Sequence, residues 1–63
     1  MIPRKIFDDL IDNFVYIYIK EIGKEFTGRI KSINEFDIVL LEDKNENISY
    51  IPISEISVIT ERR

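Results

Sequence analysis

Aromatic and basic side chains alternate with apolar ones between Val15 and Lys31, and this alternation is the part of the chain best suited to chemistry. In Val15-Tyr16-Ile17-Tyr18-Ile19-Lys20 the period is two. Val15, Ile17 and Ile19 therefore face one way and Tyr16, Tyr18 and Lys20 the other. A second run places Phe26, Gly28 and Ile30 inward and Thr27, Arg29 and Lys31 outward. Side by side, the two runs give one face bearing Tyr16, Tyr18, Lys20, Arg29 and Lys31. Tyrosine rings stack on bases and the cations neutralise phosphates, so this face suits single-stranded nucleic acid. The same pattern also describes an ordinary solvent face of cross-strand pairs.

Other chemistry is poorly supplied. The chain has no His and no Cys, which removes the commonest general base, the thiolate nucleophile and zinc ligation by either residue. Its serines (Ser32, Ser49, Ser54, Ser57) have no visible base partner, so no catalytic residue and no cofactor is assigned and the chain reads as a non-enzyme. Asp43-Lys44-Asn45-Glu46-Asn47 begins like a calcium loop, but Ile48 and Ser54 stand where Gly and Glu are needed. It reads as a solvated hairpin loop, and no metal site is assigned. Arg4 and Lys5 lie at the start of a helix, where the dipole disfavours cations. That placement suits a phosphate near the helix or, the favoured reading, pairing with Asp8 and Asp9 four residues on.

Composition sets the frame. A chain of 63 residues makes one domain, residues 1–63, with a modest core. Without disulfides or a metal, partner subunits are the expected extra source of stability. The formal net charge of −3 weighs against broad, salt-driven nucleic-acid binding, though a ring can gather a few cations on one face. Isoleucine occurs fourteen times and alanine never, a β-prone bias. No apolar run is long enough for a membrane span, and the acids in the first ten residues do not fit a signal peptide. A cytoplasmic location without membrane contact is the expectation.

The elements follow from periodicity. Ile6, Phe7, Leu10, Ile11 and Phe14 recur at helical spacing after Pro3, predicting an amphipathic helix over residues 3–13 with Asn13 as a left-handed stop. Five short strands are predicted between residues 15 and 60. Glu21–Lys24 forms the first hairpin turn, with Gly23 at its sharp position. Gly28, mid-strand, marks a tight bend. Asn34-Glu35 turns the chain into Ile38–Leu41, a continuous apolar run that predicts a strand buried on both sides. The last strands are Ile48–Ile53 and Ile56–Thr60, with Pro52 at an edge or corner. Glu61-Arg62-Arg63 reads as a frayed tail.

A helix followed by five short strands, with a bend glycine in the second, resembles the Sm-like superfamily, and within it the Hfq branch. The resemblance covers nearly the whole chain. Val15–Ile19 is similar to the first Hfq strand, which also carries a tyrosine at the place of Tyr18. Gly28 sits where the superfamily has its bend glycine. Ser32-Ile33-Asn34-Glu35-Phe36 looks like the strand-turn-strand around the inner RNA loop, and Tyr50-Ile51-Pro52-Ile53 looks like the second Sm motif. The fold implied is a mainly β, strongly bent five-stranded small barrel of SH3-like type, assembling as a ring. The function implied is single-stranded RNA binding, as an RNA chaperone or post-transcriptional regulator.

On the pore side the resemblance points to Asn34, Glu35, Phe36, Ile51 and Pro52. Phe36 keeps an aromatic, but Glu35 replaces a glutamine, and Ile51-Pro52 replace a lysine–histidine pair. Acids Asp8, Asp9 and Asp12 fall roughly where Hfq carries helix arginines. Base preference is therefore expected to be altered, with the Tyr18 face favoured over the pore. An open five-stranded barrel also leaves two unpaired edges that invite another chain. Head-to-tail pairing of these edges closes a ring when the rotation fits. The implied homo-oligomer is hexameric or heptameric, with Ile48, Tyr50, Ile53, Ile56 and Val58 at the subunit interface. An alternative function is a ring-shaped protein-interaction scaffold with little RNA affinity. A monomeric SH3-like peptide binder is a weaker third reading, since Trp is absent.

Overall fold

The computed structural model describes residues 1–63. It contains one short helix, α1 (Arg4–Asp9), and five strands. The strands are β1 (Phe14–Ile19), β2 (Lys24–Ile33), β3 (Ile38–Glu42), β4 (Ile48–Pro52) and β5 (Val58–Glu61). All pairings are antiparallel and the strand order is β4-β3-β2-β1-β5. β4 and β5 are the two ends of the sheet and do not pair with each other, so the sheet is curled but not closed.

β2 produces the curl. Ten fully extended residues would span about 30 Å, more than the longest principal extent of the molecule, 27 Å. Up to Arg29 the strand pairs with β1; from Arg29 onward it pairs with β3. Two devices turn it between these partners. Gly28 lets the carbonyl end of β3, at Glu42, close over its inner side. A β-bulge then makes Lys31 the extra residue between the Ile30–Leu41 and Ser32–Leu40 pairs.

The core lies on the concave side. Val15, Ile17 and Ile19 from β1, Ile30 from β2, Val39 and Leu41 from β3, and Ile51 from β4 are all buried there. The strand alternation expected from the sequence holds in β1 and β2. β3 differs from its expected double burial. Val39 and Leu41 are buried, whereas Ile38 and Leu40 are only half covered, because the convex face of the sheet has no second layer.

The helix is shorter than its periodicity predicts. It stops at Asp9, and only Phe7 and Leu10 of the five-residue stripe are buried. Ile6 and Ile11 remain exposed, and Phe14 is already in β1. The reason is competition for backbone groups. The Asp12 N–H donates to Ile30 O at 2.7 Å, and the Asn13 O accepts from Ile30 N at 3.2 Å. The chain thus joins the β1–β2 ladder early, and the left-handed residue is Asp12 (φ 73°) rather than Asn13. A helix of six residues has little intrinsic stability, so Phe7 and Leu10 hold it by packing.

The two hairpins that flank β3 use one turn design. Asn34 Oδ1 accepts from the N–H groups of Phe36 (2.9 Å) and Ile38 (3.1 Å). Asp43 Oδ1 accepts likewise from Asn45 (2.8 Å) and Asn47 (3.0 Å). Each turn closes through a left-handed residue three positions on, Asp37 (φ 59°) and Glu46 (φ 65°). The short acceptor side chains of Asn34 and Asp43 replace missing backbone partners, which is why these types suit turns.

Candidate nucleic-acid interface

The convex face of β1 carries Phe14, Tyr16 and Tyr18 in a row, two residues apart. Tyr18 is exposed and the other two are half-buried. Phe14 and Tyr16 meet edge to face, with ring centroids 6.2 Å apart. Arg62 lies over the Phe14 ring, its guanidinium carbon 4.2 Å from the centroid. Its N–H also donates to Phe14 O at 2.9 Å, so Arg62 extends the pairing of β5 rather than fraying. Neither Phe14 nor Arg62 belongs to the sequence-based site. Phe14 matches the helical stripe as well as the strand alternation, and only the early end of α1 decides between them.

Two of the three cations expected on this face, Arg29 and Lys31, are already paired. Arg29 stands opposite Glu42 in the β2–β3 register, and their side chains are 3.3 Å apart. The bulge turns Lys31 toward the same carboxylate, at 4.0 Å. Glu42 therefore holds two of the three cations that the sequence assigns to RNA phosphates. Glu25 also sits opposite Tyr18. Lys20 lies in a 3-10 turn, Lys20–Ile22, beyond the strand; its N–H donates to Ser57 Oγ at 3.0 Å. Lys20 thus follows the aromatic row in sequence, outside the β1–β2 register.

The second candidate region forms around the β2–β3 turn. Phe36 is 75% exposed at the tip, next to exposed Glu35. Asn34 is committed to the turn through its side-chain oxygen. Pro52 pairs with Ile38, and the Ile53 N–H donates to Asp37 O at 2.9 Å. The β2–β3 turn and the β4–β5 connection are thereby fastened together. Ile51 departs from its assignment: its side chain is buried in the core, because inward and outward positions alternate along β4.

A cation missing from the sequence-based site stands beside this turn. Arg4 makes the expected contact with Asp8 at 3.5 Å, as Lys5 does with Asp9. Its closer partner, however, is Asp37 at 2.7 Å, and it also donates to Asn34 O at 3.2 Å. The Asp37 hydrogen bond raises the Arg4 pKa above its ordinary value. The guanidinium is thus a clamp between α1 and the turn, with its charge already matched.

The expected interface set also divides. Ile48, Tyr50 and Val58 are exposed on the outward sides of the edge strands. Ile53 and Ile56 are buried. A 3-10 turn, Ile53–Glu55, carries the chain from β4 to β5 and points Ile53 into the core, so neither isoleucine offers surface to a partner. No helix is long and apolar enough to cross a membrane. No protein-family model matches the chain, and no curated protein matches it.

Proposed function

We propose that the chain is an Sm-like, Hfq-like subunit of a homo-oligomeric ring that binds single-stranded RNA on the convex face of β1. The observation that carries this reading is the aromatic row Phe14, Tyr16 and Tyr18, with Arg29 opposite Phe14 and Arg62 over its ring. Rings two residues apart along a strand suit bases splayed from a flexible backbone. The bent sheet, with the outer edges of β4 and β5 unpaired, supports the ring, because each subunit offers one end strand to each neighbour.

The test is the mass of the purified protein in solution together with titration of labelled adenine-rich and uridine-rich RNA at two salt concentrations. A micromolar protein that runs as a monomer removes the ring. A ring that binds neither RNA at low salt removes the RNA reading.

Within this reading, Tyr18→Ala should weaken binding by about 1–3 kcal/mol per occupied site, the worth of one stacked base. Phe36→Ala should cost less, since its neighbour Glu35, which has no cation partner, repels phosphate. The reverse order in the same titrations would place the site at the β2–β3 turn.

A scaffold ring with little RNA affinity is the second reading, and Glu42 is the observation that favours it. Its carboxylate already satisfies Arg29 and Lys31. Glu42→Gln separates the two readings. If RNA uses this face, the freed cations should tighten binding and steepen the salt dependence by roughly 0.7 for each additional phosphate they neutralise. Unchanged affinity and slope would support the scaffold.

A further inference from the structure

A groove opens at the end of the aromatic row, where β1 and β2 meet the β3–β4 turn. Its main part, about 280 Å³, is lined by Phe14, Thr27, Asp43, Lys44 and Asn45. A smaller adjoining part, about 240 Å³, shares Phe14, Asp43 and Lys44 and adds Arg29 and Glu42. We infer that this groove is a subsite for one nucleotide, with its base against Phe14 and its phosphate at Lys44 and Arg29. The inference rests on the RNA reading above: it gives the strand a direction, along β1 from Tyr18 toward the β3–β4 turn.

Shape, order and charge support it. Each part of the groove is below the roughly 300–1,000 Å³ of a drug-sized pocket, which suits a single small planar group. Phe14 is the only aromatic wall, and it is held in place from outside the groove by Tyr16 and Arg62. Opposite it, the turn is fixed by the two hydrogen bonds to Asp43 Oδ1. Asp43 thus spends one carboxylate oxygen on the backbone, while Asn45 spends its N–H there and keeps its side-chain amide for a base edge. Thr27 completes the lining.

Lys44 is the cation of this groove without a carboxylate partner: none of the ion pairs of the chain involves it. Arg29 is shared with Glu42, so a phosphate arriving there competes with that carboxylate. The groove carries two cations, Lys44 and Arg29, and two carboxylates, Asp43 and Glu42; a nucleotide adds a flat π-face for Phe14 and a phosphate for Lys44, the cation outside any ion pair. A ligand with an anion but no ring would leave the part of Phe14 that lines the groove uncovered, and an apolar ligand would strand the polar groups around it.

The experiment is an amide NMR titration of the intact protein with adenosine and uridine monophosphates, and separately with a single-stranded RNA of ten nucleotides. The groove predicts shifts at Phe14, Thr27, Lys44 and Asn45 with both kinds of ligand. Lys44→Ala should lower the salt slope of RNA binding by about 0.7. Phe14→Leu, which keeps an apolar side chain there, should weaken binding roughly 5- to 150-fold. RNA that shifts Tyr18 while the groove stays silent overturns the subsite and leaves the RNA reading intact. Mononucleotides that shift the groove in a protein unable to bind RNA support the subsite and overturn the RNA reading. Silence with both ligands overturns both.

Discussion

Gly28→Val should destabilise the protein by about 3 kcal/mol or more, at the upper end of what overpacking costs. A β-carbon at position 28 points to the concave side and meets the main chain of Glu42, with the Glu42 carbonyl carbon at 2.9 Å and Leu41 Cγ at 3.2 Å. A flexible side chain could yield; a backbone carbonyl at the end of a paired strand cannot move without opening the β2–β3 ladder. A domain of 63 residues has only about 3–9 kcal/mol of stability in total. Such a loss should lower the melting temperature by roughly 12–24 °C, if the protein still folds. Gly23→Ala is the matching control. Gly23 is left-handed (φ 59°) but has open space around it, so alanine there meets backbone strain of about 1–2 kcal/mol and no clash. Denaturant midpoints for both variants decide the matter. A Gly28→Val protein as stable as its parent would show that β3 does not close over this position.

This bend is legible in the sequence because a glycine in the middle of a run that otherwise alternates inward and outward residues has few explanations. The alternation in β1 and β2 is legible for a similar reason: a curled sheet with one bare face forces period two on the strands. The length of α1 is not. Residues 10–14 satisfy a helical stripe as well as a strand entry, and the outcome depends on Ile30, distant in sequence, accepting the Asp12 N–H. The same ambiguity conceals Phe14, so periodicity alone starts the aromatic row at Tyr16.

The charges on the candidate face are hidden by register. Tyr16, Tyr18, Arg29 and Lys31 can be placed outward by counting in twos. Their neighbours on other strands cannot be placed until the pairing is known. Arg29 meets Glu42 because β2 changes partners there, and Lys31 reaches the same carboxylate because of a bulge that composition does not announce. Arg4 meets its sequence-predicted partner Asp8 and also Asp37, thirty-three residues away. Local pairs follow from spacing on a helix, but long-range ones need the fold.

The edge isoleucines lead to the second large effect, which separates folding from assembly. Ile53→Asp should unfold the protein rather than only dissociate it. Ile53 is 2% exposed and packs with the other core residues. Replacing it loses at least about 2–5 kcal/mol of packing, as truncation of a buried isoleucine does. A carboxylate without a partner in that position adds a desolvation cost. The sum is comparable with the whole stability expected of the domain, so circular dichroism should show loss of strand signal at ordinary temperature. Tyr50→Asp combined with Val58→Asp should behave differently. Tyr50 is 66% and Val58 50% exposed, one on each edge strand, so neither change disturbs the concave core. In a ring joined β4 to β5, the variant brings like charges together at every seam, where facing carboxylates oppose strand pairing. Light scattering should then give the mass of a single chain, with the circular dichroism spectrum of the parent. A double variant that keeps the parent's oligomeric mass would rule out the β4–β5 seam, and a folded monomer from Ile53→Asp would move that side chain from the core to the interface.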